Sequence, residues 1–264
     1  MSATEPSAGT AAQPAPKLFE VRQLTKSYGD RTVLDGLDFD LHRGESLVIL
    51  GRSGTGKSVT LRHLNGLEKP DSGSILFDGT EISTLREAEL FPVRRRVAML
   101  FQSGALFDSM DVLDNVAFPL REHTDLSEEE ITEKVAERLA RVGLFGIEER
   151  LPSALSGGMK KRVAFARSLV LDPEVVLFDE PTTGLDPMTS ATIAQLIRSA
   201  QRDLQLTSVI VTHDIPLARR AGDRVAFLDQ GRFRFLGSWE EADRTDDALL
   251  ADFLAGREET ENVA

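Results

Sequence analysis

Four apolar runs of strand length punctuate the chain. Val175-Val176-Leu177-Phe178 has the uninterrupted character of a parallel strand covered on both faces. Leu47-Val48-Ile49-Leu50, Val97-Ala98-Met99-Leu100-Phe101 and Ser208 to Val211 read as further strands. Between residues 18 and 42 the pattern turns strand-like in another way. Phe19, Val21 and Leu24 lead to Tyr28, and Leu37, Phe39 and Leu41 then alternate with Asp38, Asp40 and His42, which predicts a half-buried antiparallel strand. A short strand is expected near Ser74 to Phe77 with a turn at Asp78-Gly79. A hairpin folds about Gln230-Gly231, from Val225 to Leu228 and Phe233 to Leu236.

Helical spacing fills the gaps. Leu61 and Leu64 follow the first apolar run, in a segment from Val59 to Leu67. Ser127 and Glu130 form a capping box ahead of Ile131, Val135 and Leu139, with Gly143 as the stop. Further helices are expected from Lys160 to about Leu171, from Met188 to about Asp203 behind Asp186 (N-cap) and Pro187 (N1), and around Leu249 to Leu254. The stretch Ser103 to Glu122 is apolar but irregular, which suits a docking groove, the core of a small helical lobe, or both. Residues 1–16, rich in Ala, Pro, Ser, Thr and Gly, read as a disordered tail, and a polar, acidic segment closes the chain. Strands alternating with helices over 264 residues predict one α/β domain with room for a smaller inserted lobe.

The chemistry gathers where apolar runs end. Gly51-Arg52-Ser53-Gly54-Thr55-Gly56-Lys57-Ser58 lies between a strand and a helix, the context in which two glycines separated by four residues, then Lys and Ser, cradle phosphate. Backbone N–H groups curl around the anion, the helix start points its positive end at it, Lys57 meets the β- and γ-phosphates, and Ser58 can ligate Mg²⁺. Asp179-Glu180 closes the run at residue 178. Two carboxylates there are expensive unless they meet a cation or a water, so Asp179 suits a hold on Mg²⁺ and Glu180 suits polarising the attacking water. Gln102, at the end of another run, can reach the Mg²⁺ or its water, or can serve as a loop amide bonding backbone. His213 sits at a strand end and can contact a γ-phosphate. Tyr28 can stack on adenine or stand as a half-exposed strand-end aromatic. Lys160, Lys161 and Arg162 fall in the first turn of their expected helix, where they oppose its dipole; an anion docked there would relieve the conflict, and three exposed basic residues at small cost is the alternative. Ser156-Gly157-Gly158 is placed far in sequence from the phosphate loop. A head-to-tail pair of chains would let this turn cap the γ-phosphate held by the other copy.

Composition narrows the partners. With 31 basic and 43 acidic side chains the net charge is −12, a surface that repels nucleic acid and anionic lipid headgroups, so no nucleic-acid partner is expected. There are no cysteines, which excludes disulfides and thiolate metal sites. No apolar run approaches the roughly 18 residues that span a bilayer, and the N-terminus lacks a signal-peptide pattern, so a membrane role is expected to need a partner.

From Leu18 to Gly237 the sequence resembles the ATP-binding-cassette (ABC) ATPases. The phosphate loop, Gln102, Leu155 to Gly158, Asp179-Glu180, the loop to Asp186 and His213 match that family's motifs in order and spacing. The resemblance implies a P-loop NTPase cassette, with a RecA-like core, an antiparallel β subdomain and an α-helical subdomain inserted at about residues 103–165; residues 238–264 would form a C-terminal extension. It also implies a closing homodimer with two ATP at its interface, Tyr28 on adenine, Glu180 as base, His213 as γ-phosphate sensor, and Ser156, Gly157, Gly158 and Asp186 at the shared nucleotide interface. Two positions depart from the pattern. Val59 stands where a hydroxyl residue is usual, leaving only its backbone donor for the α-phosphate, and Met159 stands where Gln is usual.

Those departures, with Phe101 to Ser109 and Ser156 to Arg162, resemble the Mla/Mce-type branch. Its members power membrane complexes that move phospholipids or other lipids. By that resemblance the partners are an integral permease docking near Gln102 to Pro119 and an MCE-type lipid-binding protein, with the ATPase peripheral on the cytoplasmic face of the inner (plasma) membrane. An importer ATPase for another solute such as amino acids, a soluble cassette of DNA repair or translation, and a regulatory subunit that binds ATP without turnover are the alternatives.

Overall fold

The computed structural model describes residues 15–257. Of the expected tail only Ala15 and Pro16 fall among them, and the extension is described as far as Arg257. The chain runs β1 (Lys17–Tyr28), β2 (Arg31–His42), β3 (Ser46–Leu50), α1 (Lys57–Leu64), β4 (Ser72–Phe77), β5 (Thr80–Glu81), α2 (Phe91–Arg96), β6 (Val97–Leu100), α3 (Val112–His123) and α4 (Glu128–Arg141). It continues with α5 (Gly157–Leu169), β7 (Val175–Asp179), α6 (Pro187–Leu204), β8 (Thr207–Thr212), α7 (Ile215–Ala221), β9 (Arg224–Asp229), β10 (Arg232–Ser238), α8 (Trp239–Asp243) and α9 (Ala248–Leu254).

Two sheets form. One has the order β10-β9-β3-β8-β7-β6, parallel except for β10; the other is antiparallel, in the order β2-β1-β4-β5. The apolar runs are the parallel strands, and the reason is that both their faces are covered. Along β3, Val48 and Leu50 enter one core with the helices, while Leu47 and Ile49 enter the other with the antiparallel sheet and α1. Along β7, Val176 and Phe178 take the first core and Val175 and Leu177 the second. Each such side chain contributes about 1.5–3 kcal/mol on burial, so a strand this apolar has no stable place at a wet surface.

Four parallel strands deliver their carboxyl ends to one edge: β3 to the phosphate loop, β6 towards Gln102, β7 to Asp179-Glu180 and β8 to Thr212-His213. The helical elements α3, α4 and α5 pack on one another beside that edge.

Four elements differ from expectation. Residues 112–123 form the regular helix α3, capped by the Asp111 side chain on Asp114 N, with Val112, Val116 and Leu120 buried. Its pattern was masked by Pro119 inside the helix, where a proline ordinarily argues against one. The short helices α2 and α8 escaped for lack of length. Helix α5 begins at Gly157, three residues before the expected start, because the Ser156 hydroxyl accepts from Met159 N (3.3 Å) and caps it. Lys160, Lys161 and Arg162 therefore lie in the second turn. The supposed conflict with the helix dipole is absent, and Lys161 is buried rather than exposed.

His63 on α1 is buried at 1% exposure, with Nδ1 2.8 Å from the Val59 carbonyl, and burial pushes its pKa below the ordinary value of 6.5. The folded chain holds it neutral, whereas the unfolded chain takes up a proton as pH falls through about 6.5. Stability is therefore full above that pH and declines below it. Urea unfolding at pH 7.5 and 5.5 should show a smaller loss for His63→Leu than for the native chain; equal losses would exclude His63 as the source.

Candidate nucleotide site

The loop after β3 is shaped by glycine where nothing else fits. A Cβ on Gly51 would lie 2.4 Å from the Leu228 carbonyl oxygen, and Gly56, at φ +106°, would place one 2.7 Å from Leu34 and 2.9 Å from the Val33 carbonyl. Gly56 is also the N-cap of α1, and no side chain caps it, so the first N–H groups of that helix face the loop. Lys57 follows at 6% exposure. Its Nζ donates to the carbonyls of Gly51 (2.8 Å) and Arg52 (2.9 Å) and lies 3.5 Å from Glu180 Oε1. Burial pushes its pKa down, and Glu180 and Asp179 oppose that shift.

Across β8, the end of β7 supplies the acids. The Ser58 hydroxyl donates to Asp179 Oδ1 (2.7 Å). Burial raises the Asp179 pKa, with the Ser58 hydrogen bond as the main opposing influence. Glu180 is held at φ +46°, a left-handed conformation that costs a non-glycine residue about 1–3 kcal/mol and survives only where its surroundings fix it. They do: its N–H donates to Val211 O (3.0 Å), and its carboxylate accepts from Thr183 (3.2 Å) and Thr212 (3.4 Å) and lies 2.9 Å from His213 Nδ1.

One cavity of about 510 Å³ is lined by Arg52, Ser53, Gly54, Gly56, Lys57, Ser58, Val59, Gln102, Glu180 and His213. Gly51 and Thr55 belong to the same loop, the Thr55 hydroxyl donating to Arg52 O (2.9 Å). The arrangement offers an anion backbone donors, a helix start and a buried ammonium, and places a carboxylate with an adjacent imidazole opposite.

Other sequence-predicted residues stand apart. The Tyr28 ring ends β1, exposed, with its hydroxyl on Glu68 and the Lys26 ammonium 5.6 Å from its centroid, and it does not line the cavity. Ser156 and Gly157 are exposed at the head of α5, outside the cavity, and Gly158 packs on Thr189, which a Cβ would approach to 2.5 Å. Asp186 caps α6, accepting from Met188 N and Thr189 N (3.0 Å each). Sequence reasoning missed two neighbours of the site. Phe253 of α9 lines the cavity and packs its ring on Phe227 (5.1 Å), a long-range contact without a local signal. Lys161 reaches the backbone of Gln102 and Glu180, although the sequence marks it only as one of three adjacent basic residues.

The ABC transporter family model matches residues 34–183. The chain belongs to the ABC transporter family. It is the ATP-binding, ATP-hydrolysing subunit of such a transporter. The cassette is 42% identical to the intermembrane phospholipid transport system ATP-binding protein MlaF of Haemophilus influenzae, over 90% of each chain. It is 44% identical to the probable ribonucleotide transport ATP-binding protein mkl of Mycobacterium leprae, over 94% of this chain and 72% of that one. Its fold is similar to a solved dimeric, post-hydrolysis structure of the ATP-binding cassette MJ0796 with ADP and Pi: TM-score 0.79, 32% identity, 84% of this chain and 98% of that one.

Truncating one partner of a buried charge contact costs about 2–5 kcal/mol. Lys57→Ala should therefore weaken ATP binding by roughly 30-fold or more, measured by calorimetry; unchanged affinity would show that the triphosphate sits elsewhere.

Proposed function

We propose that two copies of this cassette, arranged head to tail, close around two ATP molecules and drive a membrane permease that moves phospholipid. One observation carries the dimer: the phosphate loop, Glu180 and His213 share a cavity that the Ser156-Gly157-Gly158 turn of the same chain does not line. A second copy supplies that turn, whose N–H groups then neutralise charge on the γ-phosphate as an arginine finger would. That the similar MJ0796 cassette is dimeric in its post-hydrolysis state supports a pair of copies.

In this reading the loop from Gly51 to Ser58 and the Val59 N–H cradle the phosphates, Tyr28 stacks on adenine, and Asp186 stands at the interface between copies. Glu180 polarises the attacking water, with His213 placed to meet the γ-phosphate. Ser58 and Asp179 form an all-oxygen pair 2.7 Å apart, which fits Mg²⁺, a cation usually held by one or two protein ligands plus phosphate oxygens. They would hold the ion, and Gln102, which lines the same cavity as Ser58, would assist. The ion's chemistry is neutralisation of phosphate charge.

The phospholipid cargo rests on the MlaF relatives, which match over nine-tenths of both chains, whereas the mkl relative, named for ribonucleotides, is matched over 72% of its length. An MCE-type lipid-binding protein completes the complex. No helix of the described residues is long and apolar enough to cross a membrane, so the permease supplies the attachment, at the cytoplasmic face of the inner membrane. Its docking place is a groove of about 390 Å³ with Phe101, Pro119 and Arg167 in its walls. Beside it the exposed rings of Phe107 and Phe118 stand 5.1 Å apart. Much of the irregular apolar stretch is the core-facing side of α3, and this aromatic remainder is what a partner can use.

Glu180→Gln should bind ATP normally, hydrolyse it on the order of 10²- to 10⁴-fold more slowly, and elute as a dimer in gel filtration with ATP; a chain that stays monomeric would overturn the closed pair. Phe107→Glu should keep ATP binding and lose co-purification with membranes. Full retention on membranes would place the docking site elsewhere.

A further inference from the structure

Lys161 is a cation with 7% of its surface exposed, and no carboxylate lies within ion-pair distance of it among the described residues. Its Nζ is bound instead by two backbone carbonyls from separate parts of the site, those of Gln102 and of Glu180 (3.4 Å). Burial pushes its pKa down, and the nearby charges of Asp179 and Glu180 oppose this. An ammonium in such a place is costly unless those bonds are made.

The two carbonyls belong to residues that line the nucleotide cavity. Glu180 is also the residue held at φ +46°, and its carbonyl, which accepts from Thr183 N (3.2 Å) as well as from Lys161, is one of the points that hold that backbone in place. A second cation of α5 works on the same loop. Arg167 donates to the carbonyls of Gly104 (2.9 Å) and Ala105 (2.8 Å), the latter at φ +47°. The segment from Gln102 to Ala105 is thus fastened at both ends to one helix. From Met159 to Leu169 that helix contains neither Gly nor Pro, so it has no usual cause of a kink there. Its head is the Ser156-Gly157-Gly158 turn.

We propose that Lys161 is a positioning residue for ATP hydrolysis: it ties the helix whose head caps the partner's nucleotide to Gln102 and Glu180 of its own subunit, so that docking of one site sets the geometry of the other. The link between copies rests on the head-to-tail dimer proposed above; the backbone tie does not.

The test uses the full-length chain with Lys161→Met, which keeps the apolar stem and removes the donors, and Lys161→Arg, which keeps a cation. Without nucleotide, amide hydrogen exchange in residues 101–106 and 180–184 should rise roughly tenfold in Lys161→Met, the protection that one hydrogen bond confers, and return towards native in Lys161→Arg. The kcat for ATP should fall roughly 10- to 100-fold in Lys161→Met with KM within about twofold, since misplacement of reacting groups costs rate rather than affinity. Unchanged exchange in either segment, or a kcat within about twofold of native, would overturn the tie. So would faster exchange throughout the chain that Arg fails to restore, because that marks a general loss of fold. Should Glu180→Gln remain monomeric with ATP, the transmission between copies falls together with the dimer, while the exchange data still decide the tie.

Discussion

A buried ammonium is the constraint about which the carboxyl edge of the parallel sheet is built. Lys57 takes two loop carbonyls and the Glu180 carboxylate as partners, and the N–H groups at the start of α1 add to the positive field around it. A carboxylate 3.5 Å away is a weak substitute for a triphosphate carrying several charges. Glu180 has further neighbours in Thr183, Thr212 and His213, which hold it independently of Lys57.

That arrangement needs a rigid frame, and the two-sided burial of β3, β7 and β8 supplies it. Every residue of these strands is buried, so none can slide by one position without carrying apolar side chains from one core into the other. The relative heights of Gly51, Asp179 and Thr212 are fixed by that register. The Ser58–Asp179 contact then follows, although its partners lie 121 residues apart.

How much of this was legible depended on whether the cause was local. The phosphate loop, the capping box at Ser127 and the turn at Gln230-Gly231 are settled by residues a few positions apart, and each is readable where it stands. Helix α3 was obscured because its apolar residues serve two masters: Val116 and Leu120 face the core, Phe118 faces outward, and Pro119 breaks the pattern between them. The start of α5 was misplaced because Gly157 and Gly158 are weak helix formers, and only the Ser156 cap and the packing of Gly158 on Thr189 make them helical. Lys161 and Phe253 were invisible as parts of the site, since their partners arrive from distant segments.

Contact alone does not make a pathway between the groove and the nucleotide site, yet the contacts here have an unusual property. The Arg167 guanidinium lies 5.6 Å from the Phe107 ring at the groove, and the same helix reaches Glu180 through Lys161. At both ends of this route the anchored backbone is left-handed at a non-glycine residue, Ala105 at one end and Glu180 at the other. Such a conformation is a discrete well separated by sterics from the ordinary α and β regions, so a displaced residue relaxes into a different state rather than bending by degrees. Two backbone positions of that kind, gripped by cations of one helix, are where the proposed tie between groove and nucleotide site would act.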